Sequence, residues 1–151
     1  MIIILVILAA LAPAAWLLWT IYQKDSDQPE PKKWLAKGFV YGIGSAFLSL
    51  AISMPASMVL GMNVDNQVYS TFVEAVGDAF LLAAIPEEVA KLFMLWLLLR
   101  KNPFFDEHFD GIVYAVCVGL GFAALENVVY LISGIGDGSW IGVGVTRALF
   151  T

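Results

Sequence analysis

Residues 2–22 read IIILVILAALAPAAWLLWTIY, a run without one charged side chain. About 20 consecutive apolar residues are enough to cross a bilayer as a helix. Similar runs recur at 38–62, 71–99, 110–132 and 140–151. They predict an all-α, polytopic membrane helix bundle, with four full transmembrane helices plus the start of a fifth. Residues 1–151 are expected to form a single transmembrane domain. Composition agrees, because 60% of residues are hydrophobic and only 14% are charged. A soluble chain is roughly 45–50% apolar and about 25% charged. A mean hydropathy of +0.83 excludes disorder, which needs low hydrophobicity and high charge. A net charge of −5 with eight Lys and Arg argues against a nucleic-acid partner, leaving the lipid bilayer.

Ala12-Pro13-Ala14 loosely resembles a signal-peptide cleavage site. No positive region precedes it and the apolar run continues past it, so an uncleaved first span is expected. Pro13 should bend that span. Residues 23–37 are the strongly polar stretch and read as a surface linker, since Pro29 and Pro31 stop helix formation. Gly42, Gly44, Ser45, Ser49 and Ser53 in the second span would let another helix approach closely, and Pro55 should kink it. Residues 63–70 read as a polar loop, 100–109 as a loop with an Asn-Pro breaker, and 133–139 as a Gly-rich turn.

Lys24, Lys32, Lys33 and Lys37 lie in the first loop, and Arg100 and Lys101 in the third. The positive-inside rule therefore places loops 23–37 and 100–109 in the cytoplasm and the N-terminus outside. Trp16, Trp19, Trp34 and Trp140 read as interfacial anchors. Cys117, the single cysteine, reads as a packed thiol, with no nearby base or positive charge to activate it.

Ionisable groups inside membrane helices are costly and by default mark function. Glu74 and Asp78 fall near a span end and read as interfacial. Glu87, Glu88 and Lys91 do not. Glu87 is four residues from Lys91 and Glu88 three, so the lysine can reach either carboxylate. A structural ion pair needs one acid, so the second must find another partner, a proton or a metal. Pro86, just before the pair, frees a carbonyl near Leu82 or Ala83 and bends the helix there. Glu126 and Asn127 lie in a fourth span, with Phe122 one turn away and Gly119 and Gly121 allowing close packing. Arg147 enters the fifth span to a similar depth. Together these groups predict a near-balanced polar cavity. Asp110 reads as a helix N-cap and His108 as a solvated loop residue whose spacing fits no zinc motif.

PEEVAK (86–91) matches an EExxK motif, and DGIVYAVCVGLGFAALENVVY (110–130) a second signature of the form DG–x–x–Y…GLGFAxxEN–x–x–Y. With the arginine in TRALF (146–150), these resemble the PrsW family of intramembrane proteases of bacterial or archaeal cell membranes. That family is related to the CAAX-processing and bacteriocin-protection membrane proteases. The resemblance covers about residues 80–151. It implies site-1 cleavage of a membrane-bound substrate, such as an anti-sigma factor, near the outer membrane face. By analogy Glu87 and Glu88 activate water, Lys91 holds or tunes them, and Glu126 with Asn127 completes the site. Phe122, Arg147 and Asp110 would support it. Glu87, Glu88 and Glu126 could bind a divalent metal such as zinc, or act without one. The family pattern continues with a histidine after the arginine segment, beyond Thr151. These 151 residues are therefore expected to show little or no protease activity by themselves. A non-catalytic membrane scaffold of the same fold and a proton- or ion-coupled transporter are the competing readings. A downstream histidine in a further apolar span would favour the enzyme. Ion flux abolished by Glu126→Gln would favour the transporter.

Overall fold

The polar stretch 23–37, expected to be a linker, is helical from Lys32 onward, directly after Pro31. That residue is extended, with φ −60° and ψ 123°, and the chain turns helical immediately after it. The computed structural model describes residues 12, 15–23, 30–61, 71–137 and 142. Within these, residues 15–23 form α1, followed by α2 (Lys32–Leu60), α3 (Phe72–Asp78), a π-helical segment (Ala79–Ala84), α4 (Ile85–Leu99) and α5 (His108–Asp137). Every regular element among the described residues is helical. By length and apolar composition, α2 and α5 are the two described helices able to cross a membrane unbroken. Pro13, residues 63–70, Trp140 and the start of the fifth span with Arg147 lie outside the described residues.

Several boundaries differ from those expected. α2 begins six residues earlier than position 38, because a proline just ahead of a helix costs it no intrahelical hydrogen bond. It runs on through Pro55 and ends at Gly61, whose positive φ of 66° lets its N–H reach the Ser57 carbonyl. α5 continues through the Gly-rich stretch to Asp137, so that stretch is helix up to there. Within it the Ser133 hydroxyl is satisfied by donating back to the Val129 carbonyl at 3.0 Å.

α2 is the spine. Its buried residues Leu35, Gly38, Gly42, Ser45 and Ser49 recur at alternating spacings of three and four, one narrow seam of mostly small side chains. The serines satisfy themselves, Ser45 donating to the Gly42 carbonyl at 2.6 Å and Ser49 to the Ala46 carbonyl at 2.9 Å. A seam this small lets α5 press backbone against backbone. A Cβ on Gly42 would stand 2.0 Å from the Val118 carbonyl oxygen, and one on Gly121 would stand 2.0 Å from that of Phe39. Below this crossing Leu35, Leu98, Val113, Tyr114, Cys117 and Val118 form the core. Cys117 is buried there as a free thiol. α4 also packs on α2, and α4 and α5 meet each other far less.

Gly119 differs from its neighbour. Among the described residues nothing lies within 4 Å of where its Cβ would be, so it takes no part there in the close packing expected of both glycines. Gly42→Ala and Gly121→Ala should each lower stability by roughly 1–3 kcal/mol through overpacking. Gly119→Ala should be neutral or slightly stabilising, since alanine favours the helix by about 1 kcal/mol. Unfolding in detergent micelles checks this. Equal losses at all three positions would contradict the crossing geometry.

Candidate functional site

Pro86 has no N–H to give and its ring would strike the carbonyl four residues back. The chain answers with π-helical turns over Ala79–Ala84, where the Ile85 N–H bonds the Phe80 carbonyl five residues behind. α4 restarts with Pro86 in its first turn and Glu87 and Glu88 directly after it. The expected local disturbance is thus a widened turn, ahead of the proline.

From that first turn Lys91 reaches back to Glu88, with Nζ to Oε1 at 2.7 Å. Glu88 is 66% exposed and Lys91 only 22%. The same ammonium sits 4.3 Å from the centre of the Phe122 ring on α5. Lys91 therefore ties the acid pair of α4 to the second signature on α5. Glu87 and Glu126 each lie one turn, about 5.4 Å, beyond the Lys91–Phe122 contact, both on the side away from the α4–α5 loop. Glu87 and Glu126 are half-buried, Asn127 is buried, and all three take part in polar or electrostatic contacts. Arg147 lies outside the described residues.

Between α4 and α5 a groove of about 260 Å³ opens beside this pair. Glu88, Lys91, Leu92 and Leu95 form one wall, and Ala115, Val118 and Gly119 the other. Composition and adjacency did not distinguish Gly119 as a groove wall from Gly121 as a packing residue. The one available signal was phase, since Gly119 is off the Tyr114–Val118–Phe122 face of α5.

Asp110 is not an N-cap. It sits inside α5, and its Oδ2 accepts from the N–H groups of Glu107 at 2.8 Å and Asp106 at 3.1 Å. A side chain in the first turn reaching back to the residue before the helix is half of a capping box. Its support is to the helix start, at the far end of α5 from Glu126. His108 is the first residue of α5 and is exposed. Glu74 is exposed too, its N–H capped by Thr71 Oγ1 at 3.3 Å.

The fold and the groove define a helical membrane protein that sets ionisable side chains between its apolar helices. A family model for the PrsW family intramembrane metalloprotease matches residues 30–151, and the chain belongs to that family. Its relatives include Protease PrsW of Geobacillus kaustophilus, 34% identical over 93% of this chain and 56% of the relative. Protease PrsW of Bacillus subtilis is 37% identical over 84% of this chain and 54% of the relative. That of Clostridioides difficile is 33% identical over 95% and 57%. The chain thus spans little more than half the length of these relatives. No solved structure matches it.

The family description implies a metal. Among the described residues, no three or more of His, Cys, Asp and Glu are grouped so as to hold an ion. Glu87, Glu88 and Glu126, which could bind a metal or act without one, do not form such a group among the described residues. Glu88 turns along its own helix to Lys91.

Lys91 and Phe122 should be energetically coupled. A double-mutant cycle of Lys91→Met and Phe122→Leu, read by unfolding in micelles, should return about 0.5–2 kcal/mol. Additive losses would show that the ring and the ammonium merely lie near each other.

Proposed function

We propose that this chain carries the core of an intramembrane protease, hydrolysing a peptide bond of a membrane-bound substrate such as an anti-sigma factor. The observation that supports this most is the position of Lys91, held between Glu88 and Phe122 at the edge of an open groove. The class of activity comes from the family, whose curated relatives are named proteases.

In this reading the substrate strand enters the groove between α4 and α5. The Glu88 carboxylate, with Glu87 beside it, takes a proton from water as the oxygen adds to the scissile carbonyl carbon. The proton then passes to the departing amide nitrogen as the C–N bond breaks. Lys91 fixes the Glu88 carboxylate so that it meets the water rather than wandering over its rotamers. Glu126 and Asn127 complete the site from α5, and Arg147 adds positive charge from the fifth span.

The same reading places four spans in the bilayer, through α1, α2, the continuous helical stretch Phe72–Leu99, and α5, with a fifth begun after it. Loops 23–37 and 100–109 lie in the cytoplasm and the N-terminus outside.

Cleavage of a single-span membrane substrate in proteoliposomes tests the proposal, using both the 151-residue chain and its extension by any downstream coding sequence. Where turnover is found, Glu88→Gln and Glu87→Gln should each lower kcat by about 100-fold or more, the range of a lost general base. Turnover that survives both substitutions would sink the assignment. Absence of turnover from both chains would favour a non-catalytic membrane scaffold.

A further inference from the structure

Away from the groove, at the loop end of the bundle, two polar side chains are buried against each other. Glu30 is only 4% exposed and Tyr114 is fully buried. The Tyr114 hydroxyl donates to Glu30 Oε2, joining residues 84 positions apart. Asn102 and Asp110 lie close enough to act on the same hydroxyl. Packing alone does not ask for this arrangement. A phenylalanine at 114 would fill the ring's space, and an apolar residue at 30 would avoid burying a carboxylate.

The position of the bond explains more than its presence. α2 and α5 touch backbone to backbone at Gly42 and Gly121. That crossing is their tightest approach, and the softer side-chain core of Leu35, Tyr114 and Cys117 lies to one side of it, so a tilt of α5 about the crossing is resisted on that side by whatever ties Tyr114 down. Tyr114 lies seven residues to one side of Gly121, about 10 Å along the axis, and Glu126 five residues to the other, about 7.5 Å. A bond that holds Tyr114 to the start of α2 therefore also fixes where Glu126 and Asn127 stand. Glu30 is itself held firmly, since the residue before a proline is confined to extended backbone, and Pro31 leads straight into α2.

We propose that the Glu30–Tyr114 bond is a positioning latch: it stops α5 from swinging about the Gly42–Gly121 crossing and so holds Glu126 and Asn127 in register with Glu88 and Lys91. This rests on reading the groove as the proteolytic site. Glu30 and Tyr114 do not touch the reacting atoms. They act through the lever arm of α5.

The test combines a distance and a rate in the reconstituted full chain. Spin labels at Val89 on α4 and Val129 on α5, both exposed and outside the proposed site, report the α4–α5 spacing. Tyr114→Phe and Glu30→Ala should lengthen or broaden that distance. They should lower kcat roughly 10- to 100-fold with KM changed less than about twofold, as misplacement of a catalytic group by about 1 Å would do. Glu30→Gln, whose amide oxygen still accepts, should keep both the distance and the rate. If Tyr114→Phe does not fold, the contrast between Glu30→Gln and Glu30→Ala decides alone. A lowered melting temperature with unchanged spacing and unchanged kcat would overturn the latch and leave a purely structural bond. A widened spacing in a chain that cleaves nothing would uphold the mechanical coupling and count against the proteolytic reading instead.

Discussion

The bundle depends on one close crossing, where the hydrogens that replace Cβ on Gly42 and Gly121 point at the carbonyls of Val118 and Phe39. In lipid, apolar side chains gain little by leaving solvent for each other, so helices associate through tight packing and polar contacts. Reciprocal approaches of this kind also permit weak Cα–H···O contacts, each worth about 0.5–1 kcal/mol. Both benefits vanish if either glycine acquires a side chain. The crossing therefore sets the distance between α2 and α5, and α4 must find its place on what remains of α2. Since α4 and α5 both lean on the same spine, they diverge from each other, and the groove beside Glu88 and Lys91 is the space between them.

Polar groups in this scaffold follow two regimes. Those in the seam are short and satisfied locally, as the serines of α2 are by carbonyls one turn back. Those at the loop end are longer and bind other segments or the helix start, Tyr114 reaching across the chain to Glu30 and Asp110 holding the nearby Asp106 and Glu107 amides. Lys91 belongs to neither. It spans two helices, using a carboxylate on one and an aromatic face on the other. An ammonium in that setting keeps its charge compensated without full burial, which is why the lysine can border an open groove.

Much of this was legible from the sequence, for physical reasons that are easy to name. Apolar runs announce helices, and spacings of three and four announced that Lys91 could meet Glu87 or Glu88. Which acid it chose depends on rotamers and on where Phe122 lies, and neither is a property of one helix. The stretch 23–37 looked like a linker because its composition is polar, yet Lys32 to Lys37 are helical and Glu30 is among the most buried charges. Composition reports solvent preference averaged over a segment, whereas Glu30 is decided by a tyrosine far along the chain. Gly119 and Gly121 were read alike because adjacency in sequence hides the near-opposite faces that a helix gives positions two apart.

The π segment explains why the acids of α3 and α4 should not be placed on one helical wheel. Glu74 and Asp78 precede Ala79–Ala84, while Glu87, Glu88 and Lys91 follow it. Each π turn takes up one residue more than an α turn, and one residue corresponds to about 100° of rotation. A straight α-helix would carry the face of Glu74 and Asp78 onward in fixed relation to Glu88. The widened turns break that relation, so the face of α4 that meets α5 is set independently of the face α3 shows. Pro86 supplies the reason to widen, because π spacing moves the carbonyl it would otherwise strike. The proline thus does more than mark the start of α4: it allows Glu88 to border the groove without turning the preceding acids with it.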